Sequence, residues 1–266
     1  MRVLVVGDSH GDSDFIEFMF HQAIKRNCSK IFQLGDFGFW PHVNWGRKFI
    51  EYTREASTKY EIPLYWIDGN HDAHPSFWLH GELGGDNQFY RNNVNFLNTG
   101  GNTWYSPRGH TWEWDGIKFL SVGGAWSIDK DQRVPGQSWW ETELISYEDV
   151  EFAKKAGKVN VLFSHDTVTY VKVPGIHPIK EGERNREKID EIVKHCQPEL
   201  LIHGHYHTRY SSAGDNIIGT NDNGLIWHRT QVEGLDCNKS SPTEWESFVV
   251  LDTSKFDSYE KRVAMQ

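Results

Sequence analysis

No run of apolar residues in this 266-residue chain approaches the roughly 18–20 needed for a helix to cross a bilayer. Cysteine is scarce. Cys28, Cys196 and Cys237 are isolated and odd in number, with no Cys-x-x-Cys spacing. That argues against a disulfide framework or a cysteine zinc site, and the three read as reduced, buried thiols. Positive charge is in deficit, with a formal net charge of −9, so attraction to nucleic-acid backbones or anionic membranes is weak. The opening stretch Met1 to Gly7 lacks the apolar length of a signal peptide, and a cytoplasmic setting is expected. Repeats, low-complexity tracts and linkers are absent as well. The expectation is therefore a single domain over 1–266, with a motif core in 3–210 and closing strands in 211–266. Aromatic residues, by contrast, are plentiful: 14% of the chain, including twelve tryptophans, which favours a packed globular fold over disorder.

Val3–Val6 is an unbroken β-branched and leucine run, as expected of a strand buried on both faces. Asp14–Lys25 carries apolar residues at Phe15, Ile16, Phe18, Met19 and Ile24, a helical pattern with Asp12, Ser13 or Asp14 as cap. Lys30–Leu34 and Leu64–Ile67 read as strands around a Trp45–Lys59 helix. The chain thus opens as an α/β arrangement with parallel pairing. From Phe89 to Val122 the runs shorten, with Asn95–Leu97, Thr111–Trp114 and Ile117–Val122 as antiparallel strands. Tyr147–Lys155 and Glu187–His195 read as helices. Val159–Phe163, Leu200–Ile202, Gly224–Val232 and Phe248–Leu251 read as strands.

Five short polar motifs each follow one of these strands: Asp8-Ser9-His10, Gly35-Asp36, Gly69-Asn70-His71-Asp72, Ser164-His165 and Gly204-His205-Tyr206-His207. Singly, each has a structural use as a cap, a turn or a core histidine. Together they supply three carboxylates, an amide oxygen and five imidazoles. Such a set suits a pair of divalent metals, with one imidazole left for proton transfer. Open α/β sheets gather residues at the carboxyl ends of their strands, so distant motifs converge on one edge. His205 and His207 would face one cavity together on an extended backbone.

The series resembles the calcineurin-like metallophosphoesterases, bacterial and phage members included. Their pattern is Asp-x-His, Gly-Asp, Gly-Asn-His-Asp/Glu, a lone His and Gly-His-x-His. All five blocks occur in order between Asp8 and His207. The resemblance implies an α/β (α+β-like) fold, with two mixed β-sheets in a sandwich flanked by helices. A dinuclear metal site would lie at the carboxyl ends of the strands. Asp8, His10 and His207 would hold one metal, Asn70, His165 and His205 the other, and Asp36 would bridge them. His71 resembles the family's proton donor, with Asp72 expected to orient its imidazole and raise its pKa. The implied reaction is hydrolysis of a phosphomonoester or phosphodiester by a hydroxide held between the two metals. Manganese comes first as the metal, and iron, nickel, cobalt or zinc also suit nitrogen and oxygen ligands. The expected substrate is a small phosphoester or nucleotide rather than long nucleic acid, with no membrane partner.

The sequence departs from the phosphoprotein phosphatases at Gly35-Asp36-Phe37-Gly38-Phe39-Trp40, which lacks their phosphate-binding arginine. The stretch 123–140 offers Arg133, Lys130 and Trp139 to grip a substrate, or else packs as an aromatic surface loop. Gly7-Asp8-Ser9-His10-Gly11 also satisfies Gly-x-Ser-x-Gly, so a serine esterase with Ser9 as nucleophile is the competing enzyme class. A non-catalytic metal-binding scaffold on the same fold is the third reading. His21, His42, His74, His80, His110, His177, His195 and His228 read as structural or exposed, and His203 as pointing away from the site.

Overall fold

The computed structural model describes residues 1–75, 95–221, 224–238 and 246–256. Successive side chains of a strand point to opposite faces, so an all-apolar strand serves two cores at once. In β1 (Arg2–Val6), Val3 and Val5 enter one cluster while Leu4 and Val6 enter another, all four fully buried. β1 pairs in parallel with β2 (Lys30–Gln33), β2 with β3 (Leu64–Trp66), and β3 with β5 (Thr103–Tyr105). β12 (Phe248–Asp252) and β4 (Leu97–Gly100) close the two edges antiparallel, giving a six-stranded sheet ordered β12-β1-β2-β3-β5-β4.

The second six-stranded sheet runs β10-β11-β9-β8-β7-β6. Its centre is parallel: β7 (Ile117–Val122), β8 (Val161–Ser164), β9 (Leu200–His203) and β11 (Gly224–Gly234). β6 (Thr111–Trp114) and β10 (Tyr210–Asn221) flank it antiparallel. Both sheets are therefore mixed, as expected. Phe32 from the first sheet and Phe119 and Phe163 from the second meet between them, with the Phe32 and Phe163 rings 4.5 Å apart. Trp112 stacks on Phe32 at 5.4 Å, which shows where part of the tryptophan content goes.

Helices cover the outer faces. α1 (Ser13–Lys25) and α2 (Asn44–Lys59) bury Ile16, Met19, Phe20, Phe49 and Ile50 against Leu4, Val6 and Ile31. α3 (Tyr147–Lys154) and α4 (Lys180–Cys196) bury Val150, Ile189, Ile192 and Val193 against Leu120, Leu162 and Leu201. Asp12 caps α1 by accepting from the backbone N–H groups of Asp14 and Phe15, and a Ser146–Asp149 capping box opens α3.

Some elements differ from the sequence expectation. α4 starts seven residues before Glu187, at Lys180, because Gly182 and the charged run around it hide the helical period. β10 was unexpected, since Gly214, Gly219 and its polar residues carry no alternation. The Asn95–Leu97 strand forms instead over Leu97–Gly100, paired with the unexpected β5. The part of the Phe89–Val122 stretch before residue 95, and His80, lie outside the described residues. The three cysteines are free and buried, and no helix among the described residues is long and apolar enough to cross a membrane.

Candidate metal centre

Asp8 follows β1, Asp36 follows β2, Asn70 and His71 follow β3, His165 follows β8, and His205 and His207 follow β9. Within each sheet these strands run parallel, so their polar ends share one edge. Among the described residues, donor atoms of Asp8, His10, Asp36 and His207 all lie within 4.8 Å of one another. The His207 Nε2 is 3.1 Å from Asp8 Oδ2 and 2.9 Å from His10 Nε2. A second group adjoins the first. His165 Nε2 lies 3.0 Å from Asn70 Oδ1 and 3.5 Å from Asp36 Oδ1, and the His205 ring stands 5.1 Å from the His165 ring. Asp36 borders both groups.

The backbone bends to make this possible. His10, Asp36, His205 and His207 have φ of 45°, 50°, 69° and 49°, in the left-handed region. Each such residue costs on the order of 1–3 kcal/mol unless its surroundings hold it there. The extended backbone expected for His205–His207 is therefore replaced by two left-handed turns. Motif glycines supply clearance. A Cβ at Gly69 would lie 2.1 Å from Asp36 Oδ1, and one at Gly204 would lie 2.1 Å from Asp8 Oδ1.

Asp72 has a different task from the one its sequence position suggested. Its carboxylate accepts from the backbone N–H groups of Phe37, Gly38, Phe39 and Gly69 at 2.8–3.0 Å. It therefore pins the turn that carries Asp36 rather than orienting the His71 ring. Nor is the His71 pKa raised. Burial lowers it, Asp36 opposes that, and the neighbouring Arg133 charge lowers it further.

Two of the remaining donors, His165 and Asn70, are held by partners of their own. His165 is fully buried and its Nδ1 donates to the Leu34 carbonyl at 2.7 Å, which turns Nε2 toward Asn70 and Asp36. The Asn70 Nδ2 donates to Ser127 Oγ at 2.9 Å, and that hydroxyl donates to Glu143 Oε2 at 2.6 Å. The Asn70 carbonyl oxygen is thereby turned toward His165 and Asp36. Sequence reading missed Ser127 and Glu143, because nothing local links position 70 to positions 127 and 143.

Burial opposes ionisation of Asp36, but the charges of His71, His165 and His10 hold its carboxyl well below the usual range. Asp8 is likewise lowered, with burial overridden by the His207 hydrogen bond and the His165 charge. The imidazoles respond in kind. Burial would lower His165, yet Asp36 brings it to about 10; burial would lower His207, yet Asp8 brings it to about 10. His205, with weaker compensation for its burial, falls to about 4. Buried anions that attract cations this strongly, beside neutralisable imidazoles and an amide oxygen, form a donor set that fits divalent metal ions.

His71 is anchored by its backbone N–H on Asp36 Oδ1 at 2.7 Å, and its ring lies 5.5 Å from that of His10. Arg133 adjoins it: a guanidinium N–H donates to His71 Nε2, another to the Asn70 backbone carbonyl at 3.2 Å, while Asp129 pairs with the guanidinium. Trp139 does not reach the site. The chain turns back between Val134 and Trp139, and the Trp139 ring lines a separate depression beside Arg108, under the Lys130 ammonium at 4.3 Å. Trp126 lines the cavity next to the donor cluster instead.

Ser9 is fully buried and its hydroxyl donates to the Phe37 carbonyl at 2.8 Å, an arrangement no nucleophile elbow has. His203 turns away from the cluster toward the Tyr210 hydroxyl at 2.7 Å. A further buried group braces the loop: Arg108 binds Asp68 Oδ2 through two N–H groups and donates to the carbonyls of Thr142 and Leu144 at 2.8 Å.

The sequence pattern of the calcineurin-like phosphoesterases matches residues 1–209. None of the curated proteins compared with the chain matches it. Among solved structures, a dimetal phosphatase of Danio rerio is similar at a TM-score of 0.53 and 13% identity, over 94% of this chain and 91% of that one. A protein of Thermus thermophilus is similar at a TM-score of 0.50 and 12% identity, over 89% of each chain.

Proposed function

This chain belongs to the calcineurin-like phosphoesterase family, and from that premise we propose that it hydrolyses a small phosphomonoester or phosphodiester at a dinuclear metal centre. The observation that carries the reading is the convergence of Asp8, His10, Asp36 and His207 donor atoms within 4.8 Å of one another, three of these residues with left-handed backbone. Asp8, His10 and His207 would hold one ion, Asn70, His165 and His205 the other, and Asp36 would serve both. Bound divalent cations, manganese first among them, lower the pKa of water and neutralise phosphate charge.

The chain's own groups do the rest. Arg133 presents its guanidinium N–H groups beside Asn70 and His71, where it would bind the non-bridging oxygens of the phosphate. That guanidinium donates to His71 Nε2, so this nitrogen accepts and the imidazole rests neutral. When phosphate draws Arg133 away, His71 Nε2 becomes free to take up a proton from water and pass it to the departing alkoxide. Asp129 pairs with the Arg133 guanidinium at 2.6 Å and limits how far it can move. A cytoplasmic setting is part of the proposal, supported by three buried thiols without disulfides.

The test is hydrolysis of bis-p-nitrophenyl phosphate and p-nitrophenyl phosphate by chelator-stripped protein, with and without added manganese. Activity that is lost on stripping and restored by metal is expected, and the preferred ester separates diesterase from monoesterase. Metal-independent activity, or inertness of metal-loaded protein on every phosphoester tried, would overturn the reading.

A further inference from the structure

The cavity beside the donor cluster has a volume of about 580 Å³, far more than a phosphate group fills. Besides the site residues it is bounded by Trp126, Ile128, Ile176, Pro178 and Ile179. The Trp126 indole lies against Gly182 in the first turn of α4, where a Cβ would stand only 3.3 Å from ring atom Cε3. Glycine at that position leaves room for the flat of the ring. Ile128 is 75% exposed and Ile179 38% exposed at the mouth of this polar site. Large apolar side chains left open around a pocket mark a surface that a ligand covers.

Charged groups on the same walls are already matched. Asp129 pairs with Arg133, and Glu183 pairs with Arg186, which also donates to the Val171 carbonyl at 2.9 Å. Asp166 accepts from the Tyr206 hydroxyl, the Asn185 amide and the Thr167 N–H at 2.8 Å each. The cavity thus offers flat apolar contact and acidic neighbours, with its arginine committed elsewhere. A second phosphate or a carboxylate would find little to bind.

Resting on the phosphoesterase reading above, we propose that this cavity holds the leaving group of the ester. That leaving group is an uncharged alcohol bearing a flat ring system, as a nucleoside is, stacked on Trp126. Stacking of one base on an aromatic side chain changes affinity by about 10–100-fold.

The experiment compares adenosine 5′-monophosphate with glycerol 3-phosphate on manganese-loaded protein, since both release a primary alkoxide and differ in the ring. Adenosine binding, with glycerol as control, is measured separately by saturation-transfer NMR. Adenosine is expected to bind. Trp126→Ala should lower kcat/KM on the nucleotide by about 10–100-fold, while kcat/KM on glycerol 3-phosphate stays within about threefold. Trp126→Phe should retain most of the preference. Ile128→Ala, at an exposed position that folding tolerates, should weaken the nucleotide alone in the same direction. Equal losses on both substrates in the Trp126→Ala and Ile128→Ala variants would overturn the proposal. So would wild-type protein that cleaves both esters alike and binds no adenosine. If adenosine binds and no ester is cleaved, the phosphoesterase reading fails on its own.

Discussion

Replacing Ser127 by alanine tests a donor, Asn70, whose orientation depends on a distant loop. Wild-type Asn70 donates Nδ2 to Ser127 Oγ at 2.9 Å, and Ser127 passes that bond to Glu143 at 2.6 Å. All three side chains are at most 2% exposed, so water cannot replace the lost hydroxyl. Ser127→Ala leaves a buried amide N–H without an acceptor, which costs about 1–3 kcal/mol. Rotating the amide by half a turn would aim Nδ2, in place of Oδ1, toward the side where His165 and the Asp36 carboxylate lie. That rotated amide presents hydrogen where, on the proposed assignment, a second metal would need oxygen. The penalty converts to roughly 5–150-fold in affinity, at about 1.4 kcal/mol per decade, in line with the 10–100-fold typical of lost outer partners. Asp8, His10 and His207 have no contact with Ser127 and should bind their ion unchanged. Calorimetric titration of chelator-stripped protein with manganese reads both equivalents. A folded variant whose second equivalent binds with wild-type affinity, or whose two equivalents weaken alike, would refute the reasoning.

Three other outcomes are expected. His71→Ala should keep two metal equivalents and lose about two to four decades of turnover; undiminished turnover would remove His71 from the mechanism. Asp72→Ala strands four buried N–H groups and should cost at least about 3 kcal/mol with loss of metal; urea unfolding and metal analysis read both, and a stable, metal-replete variant would show that the 36–39 turn holds without it. His74, away from the donor cluster, carries a pH signature of its own. Burial, reinforced by the Arg108 charge, pushes its imidazole from 6.5 down to about 4. The unfolded chain therefore takes up a proton below 6.5 that the folded protein refuses, and stability falls as pH drops from 6.5 to 4. That loss amounts to about 3 kcal/mol, of which about 2 kcal/mol is gone by pH 5. Urea unfolding at pH 7 and pH 5 should show it, and His74→Gln should shrink the difference by about 2 kcal/mol; an equal slope in the variant would exclude His74 as a source.

The candidate site was legible because suitability as a metal ligand is a property of residue type. Asp8, His10, Asp36, Asn70, His165, His205 and His207 stand at the ends of short apolar strands whose buried faces announce themselves by composition. The strands β1, β2, β3, β8 and β9 were readable for the same reason. β10 and the start of α4 were not, since glycine and charge break the periodicity that reading relies on.

What only tertiary structure decided is where each side chain spends its hydrogen bonds. Asp72 looks like a partner for His71 in sequence, yet three amides of the distant 37–39 turn, with that of Gly69, claim its oxygens. Ser127 and Glu143 carry no motif, yet they set the face that Asn70 shows to the site. Trp126 and Trp139 are indistinguishable by composition, and the turn after Val134 alone determines which one lines the cavity. Ligand types are written residue by residue. Their orientation depends on contacts between segments that meet only when the two sheets pack.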